Sequence, residues 1–130
     1  MARLHDIVVD SAHPAAAARF WAAVLDGYAV APYDDAELAR LRALGIASPE
    51  DDPTVLLEPQ NGGPRLFFQQ VPEPKRVKNR VHMDLVADDL DAETARLAEL
   101  GAVLLARHEK HILFADPEGN EFCLAQLGSY

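Results

Sequence analysis

Cysteine is nearly absent from the 130-residue chain, which contains only Cys123. A single cysteine excludes an intramolecular disulfide and a zinc site built from several thiolates. The residue follows Phe122 and precedes Leu124, within an apolar segment that has the pattern of a strand. We therefore expect Cys123 to be a small buried hydrophobic residue rather than a nucleophile.

Basic residues and long apolar runs are also scarce. Lysine and arginine number 12 against 21 aspartate and glutamate residues, which gives a formal net charge of -9. Nucleic-acid backbones and anionic membrane surfaces repel such a chain. No apolar run approaches membrane-spanning length, and residues 1–10 lack the pattern of a secretion signal. The sequence predicts no nucleic-acid partner, no membrane partner and a cytoplasmic location.

Hydrophobic residues are abundant and make up 49% of the chain, which at this length supports a single core. We therefore expect one compact domain over residues 1–130. Apolar periodicity and turn signals indicate the order strand, helix, three strands, which occurs twice. The first copy has a helix that begins at Pro14 and ends near Gly27, and the second has a helix that ends at Gly101. The predicted strands are 4–9, 28–31, 54–58 and 65–71, then 81–87, 103–107, 112–115 and 121–126.

An internal repeat is expected from this order. At an offset of 77 residues, His5 aligns with His82 and Phe20 with Leu97, without a gap. The predicted modules are residues 1–71 and 80–130, joined by a proline-rich polar linker at 72–79. Residues 34–45 form an insertion in the first module, where leucines recur at helical spacing.

Four stretches of the sequence resemble the vicinal-oxygen-chelate superfamily, which contains glyoxalases, bleomycin-resistance proteins and extradiol dioxygenases. They are Phe20 and Trp21 with Leu25 and Gly27, residues 65–69 (RLFFQ), residues 79–85 (NRVHMDL) and residues 116–122 (DPEGNEF). The chain is most similar in pattern to short bacterial glyoxalase-like domains. The resemblance implies an α+β fold of two βαβββ modules whose curved mixed sheets surround a cavity.

The resemblance also implies where a metal would bind, since metal-using members place ligands on the first and last strands of a module. Those positions correspond to His5, His82, Glu121 and Arg65 in this sequence. Two imidazoles and one carboxylate suit manganese, nickel, iron(II) or zinc and leave coordination positions open for a substrate. Arg65 cannot ligate because it stays protonated, so the four-ligand pattern of glyoxalases is broken. The three-ligand pattern of fosfomycin-inactivating thiol transferases and ring-cleaving dioxygenases remains possible.

Each of these residues also has a plainer interpretation. For His5 and His82 it is that they line a cavity without a metal, and for Glu121 it is an exposed strand start. Arg65 either anchors a carboxylate or phosphonate of a substrate or pairs with Glu121, and that pair would exclude the metal site. We expect Gln69 and Phe114, with Tyr28 and Tyr33, to line the cavity. The expected core aromatic residues are Phe20, Trp21, Phe67 and Phe68.

Two main functional hypotheses follow. The first is an enzyme that acts on a small oxygenated molecule, with a divalent metal at His5, His82 and Glu121 polarising a substrate oxygen; the sequence does not identify a catalytic residue. The alternative is a metal-free protein that sequesters a toxic compound, as bleomycin-resistance proteins do, because an acidic groove would concentrate a cationic drug. A ligand-sensing module is a third class that no sequence feature favours. Relatives commonly pair as two-fold homodimers, so we also expect a dimer in which His5 meets the partner's His82 and the partner's Glu121.

Overall fold

The computed structural model describes residues 1–129, which form eight strands and three α-helices. The first half contains β1 (Asp6–Ser11), α1 (Pro14–Val24), β2 (Tyr28–Val30), α2 (Asp35–Ala43), a short 3-10 helix (Pro49–Asp51), β3 (Thr54–Pro59) and β4 (Arg65–Gln70). The second half contains β5 (Met83–Ala87), α3 (Leu90–Leu100), β6 (Val103–Arg107), β7 (Ile112–Ala115) and β8 (Glu121–Gln126).

The strands form two four-stranded mixed sheets, ordered β1-β4-β3-β2 and β5-β8-β7-β6. In each sheet the first strand runs parallel to the last strand, and the other pairs are antiparallel. The chain divides into two compact units, residues 1–74 and residues from Lys75 onward. The expected α+β class and the two βαβββ units are confirmed, and within residues 1–129 neither sheet closes into a barrel. A single folding domain with a linker at 72–79 remains a prediction.

Local sequence signals explain the ends of the helices. Pro14 occupies the first turn of α1, where its missing N–H would have no partner. The Asp89 carboxylate accepts a hydrogen bond from the Ala92 N–H at 3.0 Å and so caps the start of α3. Gly101 ends α3 with a φ of 110°, a left-handed conformation that favours glycine.

Each unit buries one face of its sheet beneath its long helix. In the first unit, α1 contacts β2, β3 and β4, and its Trp21 is buried, as are Leu57, Leu66 and Phe68 from the sheet. In the second unit, α3 contacts β8. Its core contains Leu97, Phe114, Phe122 and Leu124. Burial of Phe20, Trp21 and Phe68 confirms three of the expected core aromatic residues, whereas Phe67 is only half-buried.

The predicted insertion helix exists as α2 but is narrower than residues 34–45. Asp34 lies outside the helix and caps it, since its carboxylate accepts a hydrogen bond from the Glu37 N–H at 2.9 Å. Leu41 is the buried residue of this helix. Arg40, from the same helix, contributes instead to a buried polar network described below.

Across residues 1–129, every helix is too short or too polar to cross a lipid bilayer.

Candidate functional site

The two units repeat each other at an offset of 76 residues rather than the 77 expected from sequence. Helix α1 begins at Pro14 and ends at Val24, and α3 begins at Leu90 and ends at Leu100. Hydrogen bonds at the ends of the sheets give the same offset. The Val71 N–H, just after β4, donates to the Ser11 carbonyl, and the Leu127 N–H, just after β8, donates to the Ala87 carbonyl. The alignment of His5 with His82 is therefore wrong as a statement of structural equivalence.

The corrected offset makes Asp6 the equivalent of His82. In the first unit Asp6 pairs with Arg65 in the parallel register of β1 and β4. In the second unit Met83 pairs with Phe122, so the same register extended by one residue places His82 beside Glu121. The exposure pattern agrees, since Val8 and Asp10 are exposed in β1 and their equivalents at 84 and 86 are exposed in β5.

An ion pair occupies this position in the first unit. Arg65 donates from Nε to Asp6 Oδ1 at 2.8 Å and from Nη2 to Asp6 Oδ2 at 3.0 Å. His5 lies beside the pair, with its Nδ1 3.0 Å from Asp6 Oδ2 and its side chain 79% exposed. Hydrogen bonds from Arg65 are the main reason that the pKa of Asp6 is lowered, although desolvation opposes them. Arg65 therefore pairs with Asp6 in its own unit, rather than with Glu121 as one interpretation of the sequence supposed.

Glu121 opens β8 and is held by groups of the second unit. Its carboxylate accepts a hydrogen bond from the Asn79 N–H at 3.1 Å and lies 3.2 Å from Lys75 Nζ. Burial is the largest influence on its pKa and raises it, but hydrogen bonds from backbone N–H groups and from Lys75 outweigh burial and lower the pKa. The turn before Glu121 is fixed by Asp116, whose carboxylate accepts hydrogen bonds from the N–H groups of Glu118 and Asn120.

His82 lies immediately before β5, and its Nε2 is 3.2 Å from Asp84 Oδ1. Both side chains are substantially exposed, 42% for His82 and 49% for Asp84. Alternation along the strand places them on the same face of the sheet, opposite the face that packs beneath α3. The parallel register pairs Asp84 with Cys123, so Cys123 belongs to this face as well.

These contacts fit the predicted metal triad only in part. His82 has an accessible imidazole, which is the donor that manganese, nickel, iron(II) and zinc accept. Glu121 would first have to release Lys75 and the Asn79 N–H. His5 lies in the first unit, against Asp6 and Arg65, so the triad remains a prediction from the sequence.

A pocket of about 570 Å³ opens in the first unit, over the sheet face opposite α1. Its floor is apolar and includes Leu56 from β3 and Phe67 from β4. Among the residues described, its charged lining consists of one arginine and four carboxylates, namely Arg40 with Asp34, Glu37, Asp52 and Glu58. Tyr33, Thr54, Ala31 and Pro32 complete the lining.

Asp52 is the centre of the polar network in this pocket, and its side chain is 0% exposed. It accepts hydrogen bonds from the Tyr33 hydroxyl at 2.8 Å, from Arg40 Nη2 at 2.8 Å and from the Thr54 N–H at 3.0 Å. Burial and the hydrogen bond to Asp52 raise the pKa of Tyr33 well above its ordinary value of 10.0, so the phenol stays protonated. The pKa of Arg40 is raised above its ordinary value, mainly by its hydrogen bond to Asp52 and secondly by its hydrogen bond to Glu37.

The sequence predicted Tyr33 as a cavity residue but did not single out Asp52, Arg40 or Glu58. Two signals were available: Asp52 directly precedes Pro53 and a strand, where a carboxylate commonly binds nearby backbone N–H groups, and Arg40 follows Glu37 by three residues on α2, a spacing typical of an ion pair. Neither signal reveals that the two side chains meet.

The remaining predicted ligand contacts lie in different surroundings. Gln69 is exposed on β4 and shares its sheet face with Arg65 and Phe67. Phe114 is 0% exposed and stacks on Phe122 with ring centroids 5.5 Å apart, so packing within the second unit accounts for its position. The hydroxyl of Tyr28, another expected cavity residue, donates to the Pro64 carbonyl at 2.7 Å.

Comparison with known proteins shows the fold to be widespread. A glyoxalase/bleomycin resistance protein/dioxygenase family enzyme from Burkholderia phytofirmans is 16% identical with a TM-score of 0.65, and 97% of this chain covers 99% of that one. The fosfomycin resistance protein FosX from Mesorhizobium loti is 17% identical with a TM-score of 0.64, covering 96% and 91% of the two chains. The oxidase ChaP-H2 is 20% identical with a TM-score of 0.61, covering 97% and 94%. At these identities the likeness establishes the fold alone.

The sequence comparison is more specific about the family. No curated protein is significantly similar to the chain. The family profile described as a glyoxalase-like domain matches residues 6–125, which includes both βαβββ units. The chain therefore belongs to the glyoxalase-like domain family, and it has the fold of the superfamily that its sequence resembles.

Proposed function

We propose that the protein binds and sequesters a small organic cation in the pocket of its first unit, and that no metal takes part in this binding. The observation that carries the proposal is the charge of the pocket lining, where four carboxylates face one guanidinium among the residues described. Arg40 offsets the buried Asp52. The carboxylates of Asp34, Glu37 and Glu58 leave an excess of negative charge, which favours a cationic ligand.

The size and floor of the pocket support an organic ligand rather than a bare ion. A volume of about 570 Å³ lies in the range of small-molecule sites. Phe67 presents an aromatic ring, and such rings attract cations through their electron-rich faces. The Arg65 guanidinium carbon lies 5.3 Å from the centroid of this ring, so a ligand cation would contact the part of the ring that Arg65 leaves uncovered. Arg65 and Gln69 share the face of Phe67, and we propose that they contact the end of the ligand farther from α2.

Isothermal titration with three matched probes tests the proposal. Benzyltrimethylammonium carries the charge, neopentylbenzene replaces the nitrogen with carbon, and benzylphosphonate reverses the charge. We expect binding only of the cation, weaker at moderate than at low salt because screening reduces its attraction to the carboxylates. A basic glycopeptide should follow the same salt dependence. Equal binding of the cationic and neutral probes would contradict the proposal.

Two variants separate the pocket charge from the net charge of the protein. Glu58→Gln removes a pocket carboxylate, and Glu99→Gln removes an exposed carboxylate on α3 in the second unit. An interaction of about 1 kcal/mol between a ligand cation and Glu58 corresponds to roughly fivefold weaker binding in Glu58→Gln. We expect Glu99→Gln to bind like the wild type. Equal weakening in both variants would mean that the overall charge, and not the pocket, attracts the ligand.

A metal-dependent enzyme is the second candidate. The observation that favours it is the register of β5 and β8, which, extended by one residue beyond Met83 and Phe122, would put His82 opposite Glu121. In the dimer expected from sequence, His5 would hold the metal together with the partner's His82 and the partner's Glu121, and the metal would polarise an oxygen of a small-molecule substrate. Elemental analysis of untagged protein purified without chelators, beside His82→Ala, tests this candidate. Stoichiometric metal that is lost in both His82→Ala and Glu121→Gln would support it.

We also propose that the protein works in the cytoplasm, as the sequence predicts. Cys123 is a free, buried thiol, and free thiols persist in reducing compartments. Fractionation of cells that express the full chain is the direct measurement, and recovery in a membrane or extracellular fraction would contradict the proposal.

A further inference from the structure

One cluster of side chains in the second unit has donor atoms that suit a metal and does not use Glu121. A ring nitrogen of His82, a carboxylate oxygen of Asp84 and the sulfur of Cys123 all lie within 4.8 Å of one another. We propose that these three residues bind a zinc-class divalent ion, with the remaining coordination position open to the exposed face of the sheet. This site is independent of the cation pocket in the first unit.

The architecture of β5 and β8 brings the three donors together. His82 and Asp84 are two residues apart on an extended segment, so their side chains point to the same face. Asp84 and Cys123 are register partners in the parallel ladder, and neighbouring strands point paired side chains to the same side. Backbone pairing therefore fixes the Cα positions of these residues, and rotation of the exposed side chains sets the distances between the donor atoms.

The distances permit a shared ion after a small adjustment. Zinc binds nitrogen and oxygen at about 2.0 to 2.2 Å and sulfur at about 2.3 Å, so tetrahedral donors lie roughly 3.3 to 3.8 Å apart. The His82 Nε2 and Asp84 Oδ1 atoms are already 3.2 Å apart. Both side chains are more than 40% exposed and can rotate toward Cys123, which the strand holds in place at 7% exposure.

The donor types select the metal. A mixed nitrogen, oxygen and sulfur set suits zinc, cobalt or nickel, whereas calcium and magnesium require oxygen donors. Cysteine binds a metal as its thiolate, so the Cys123 thiol must lose its proton in order to ligate. Binding would replace the thiol proton by the metal ion and release that proton to solvent. The positive charge of Lys78 near Cys123 disfavours binding of a metal cation, and the negative charge of Asp84 offsets this effect.

Cobalt titration of the full chain, stripped of metal and kept reduced with a phosphine, is the decisive experiment. Cobalt bound by a thiolate gives a near-ultraviolet charge-transfer band, which neither a histidine nor a carboxylate produces. We expect one cobalt per chain with this band, release of one proton near neutral pH, and loss of the band when zinc is added. Absence of the band in the wild type would overturn the proposal.

Three variants identify the ligands, and thermal unfolding of each without metal checks its fold. Cys123→Ala should lose the charge-transfer band, and Asp84→Asn should keep the band with about tenfold weaker cobalt binding or more. Glu121→Gln should bind cobalt like the wild type, which separates this site from the triad predicted from sequence. A band that survives Cys123→Ala, or that disappears in Glu121→Gln, would refute the assignment. Should Cys123→Ala fail to fold, His82→Asn, at an exposed position, must weaken cobalt binding as strongly as Asp84→Asn.

Discussion

Replacing Asp52, the buried centre of the polar network in the pocket, should destabilise the first unit. The side chain is 0% exposed and accepts three hydrogen bonds, from Tyr33, Arg40 and the Thr54 N–H. A neutral hydrogen bond contributes about 1 kcal/mol, and one to a charged group about 1.5 to 3 kcal/mol. The contribution of Arg40 is reduced because its side chain is 37% exposed and can regain water. We expect Asp52→Ala to lower the free energy of unfolding by about 3 kcal/mol.

Urea unfolding, monitored by the fluorescence of Trp21, measures this effect. The free energies of the wild type and the variant can be compared only if their m values are equal. Asp52→Asn keeps one acceptor for the Thr54 N–H but loses the ion pair, so a loss of about 1 to 2 kcal/mol is expected. Glu37→Gln is the matched control, because Glu37 is 43% exposed and contacts the same Arg40; its effect should be at most about 1 kcal/mol. An effect of Asp52→Ala below about 0.5 kcal/mol would refute the claim that the network stabilises this unit.

Three further predictions concern other parts of the chain. Leu57→Ala should cost about 2 to 4 kcal/mol in urea unfolding, because Leu57 is 0% exposed and its loss leaves a cavity; a cost below 1 kcal/mol would show that the core collapses around the gap. Glu121→Gln should be slightly less stable than the wild type at neutral pH and equally stable in acid. The folded pKa of Glu121 is below its ordinary value of 4.5, so its stabilisation is present above that value and disappears as the pH falls through the folded pKa; a difference that persists at pH 2 would contradict this reasoning. Sedimentation velocity at micromolar concentration should show the homodimer expected from sequence, and monomer alone would exclude it.

Hydrophobic patterning predicted the elements well where turns bound them closely. The predicted bounds of β6, β7 and β8 match the structure residue for residue. The first strand of each unit was predicted two residues too early, at 4 and 81. Pairing sets the observed start in the first unit, because β1 begins at Asp6, opposite the first residue of β4, Arg65. Apolar pattern indicates which residues are extended, but it does not report where a distant partner strand begins.

Side-chain partners were the least predictable part of the candidate site. Arg65 pairs with Asp6, which is 59 positions away in the chain, because β1 and β4 run in parallel register. The sequence offered Glu121 as its partner on the basis of the repeat alone. Likewise, Arg40 on α2 pairs with Asp52, which lies 12 residues later in the chain, directly after the 3-10 helix. Opposite charges are plentiful in this sequence, and only the fold selects among them.

The one-residue error in the repeat has the largest consequence for function. Because side chains alternate along a strand, a shift of one residue exchanges the two faces of the sheet. The offset of 77 aligned two histidines and implied two equivalent metal ligands, whereas the structure aligns His82 with Asp6. At corresponding positions, the first unit therefore has a carboxylate bound to a guanidinium, and the second has an exposed imidazole beside a carboxylate. The Arg65 guanidinium neutralises the Asp6 carboxylate and repels a metal cation, so Asp6 is a poorer metal ligand than a carboxylate without such a partner. Metal chemistry in this chain, if the cobalt titration detects it, is thus expected from the second unit, and cation binding from the pocket of the first.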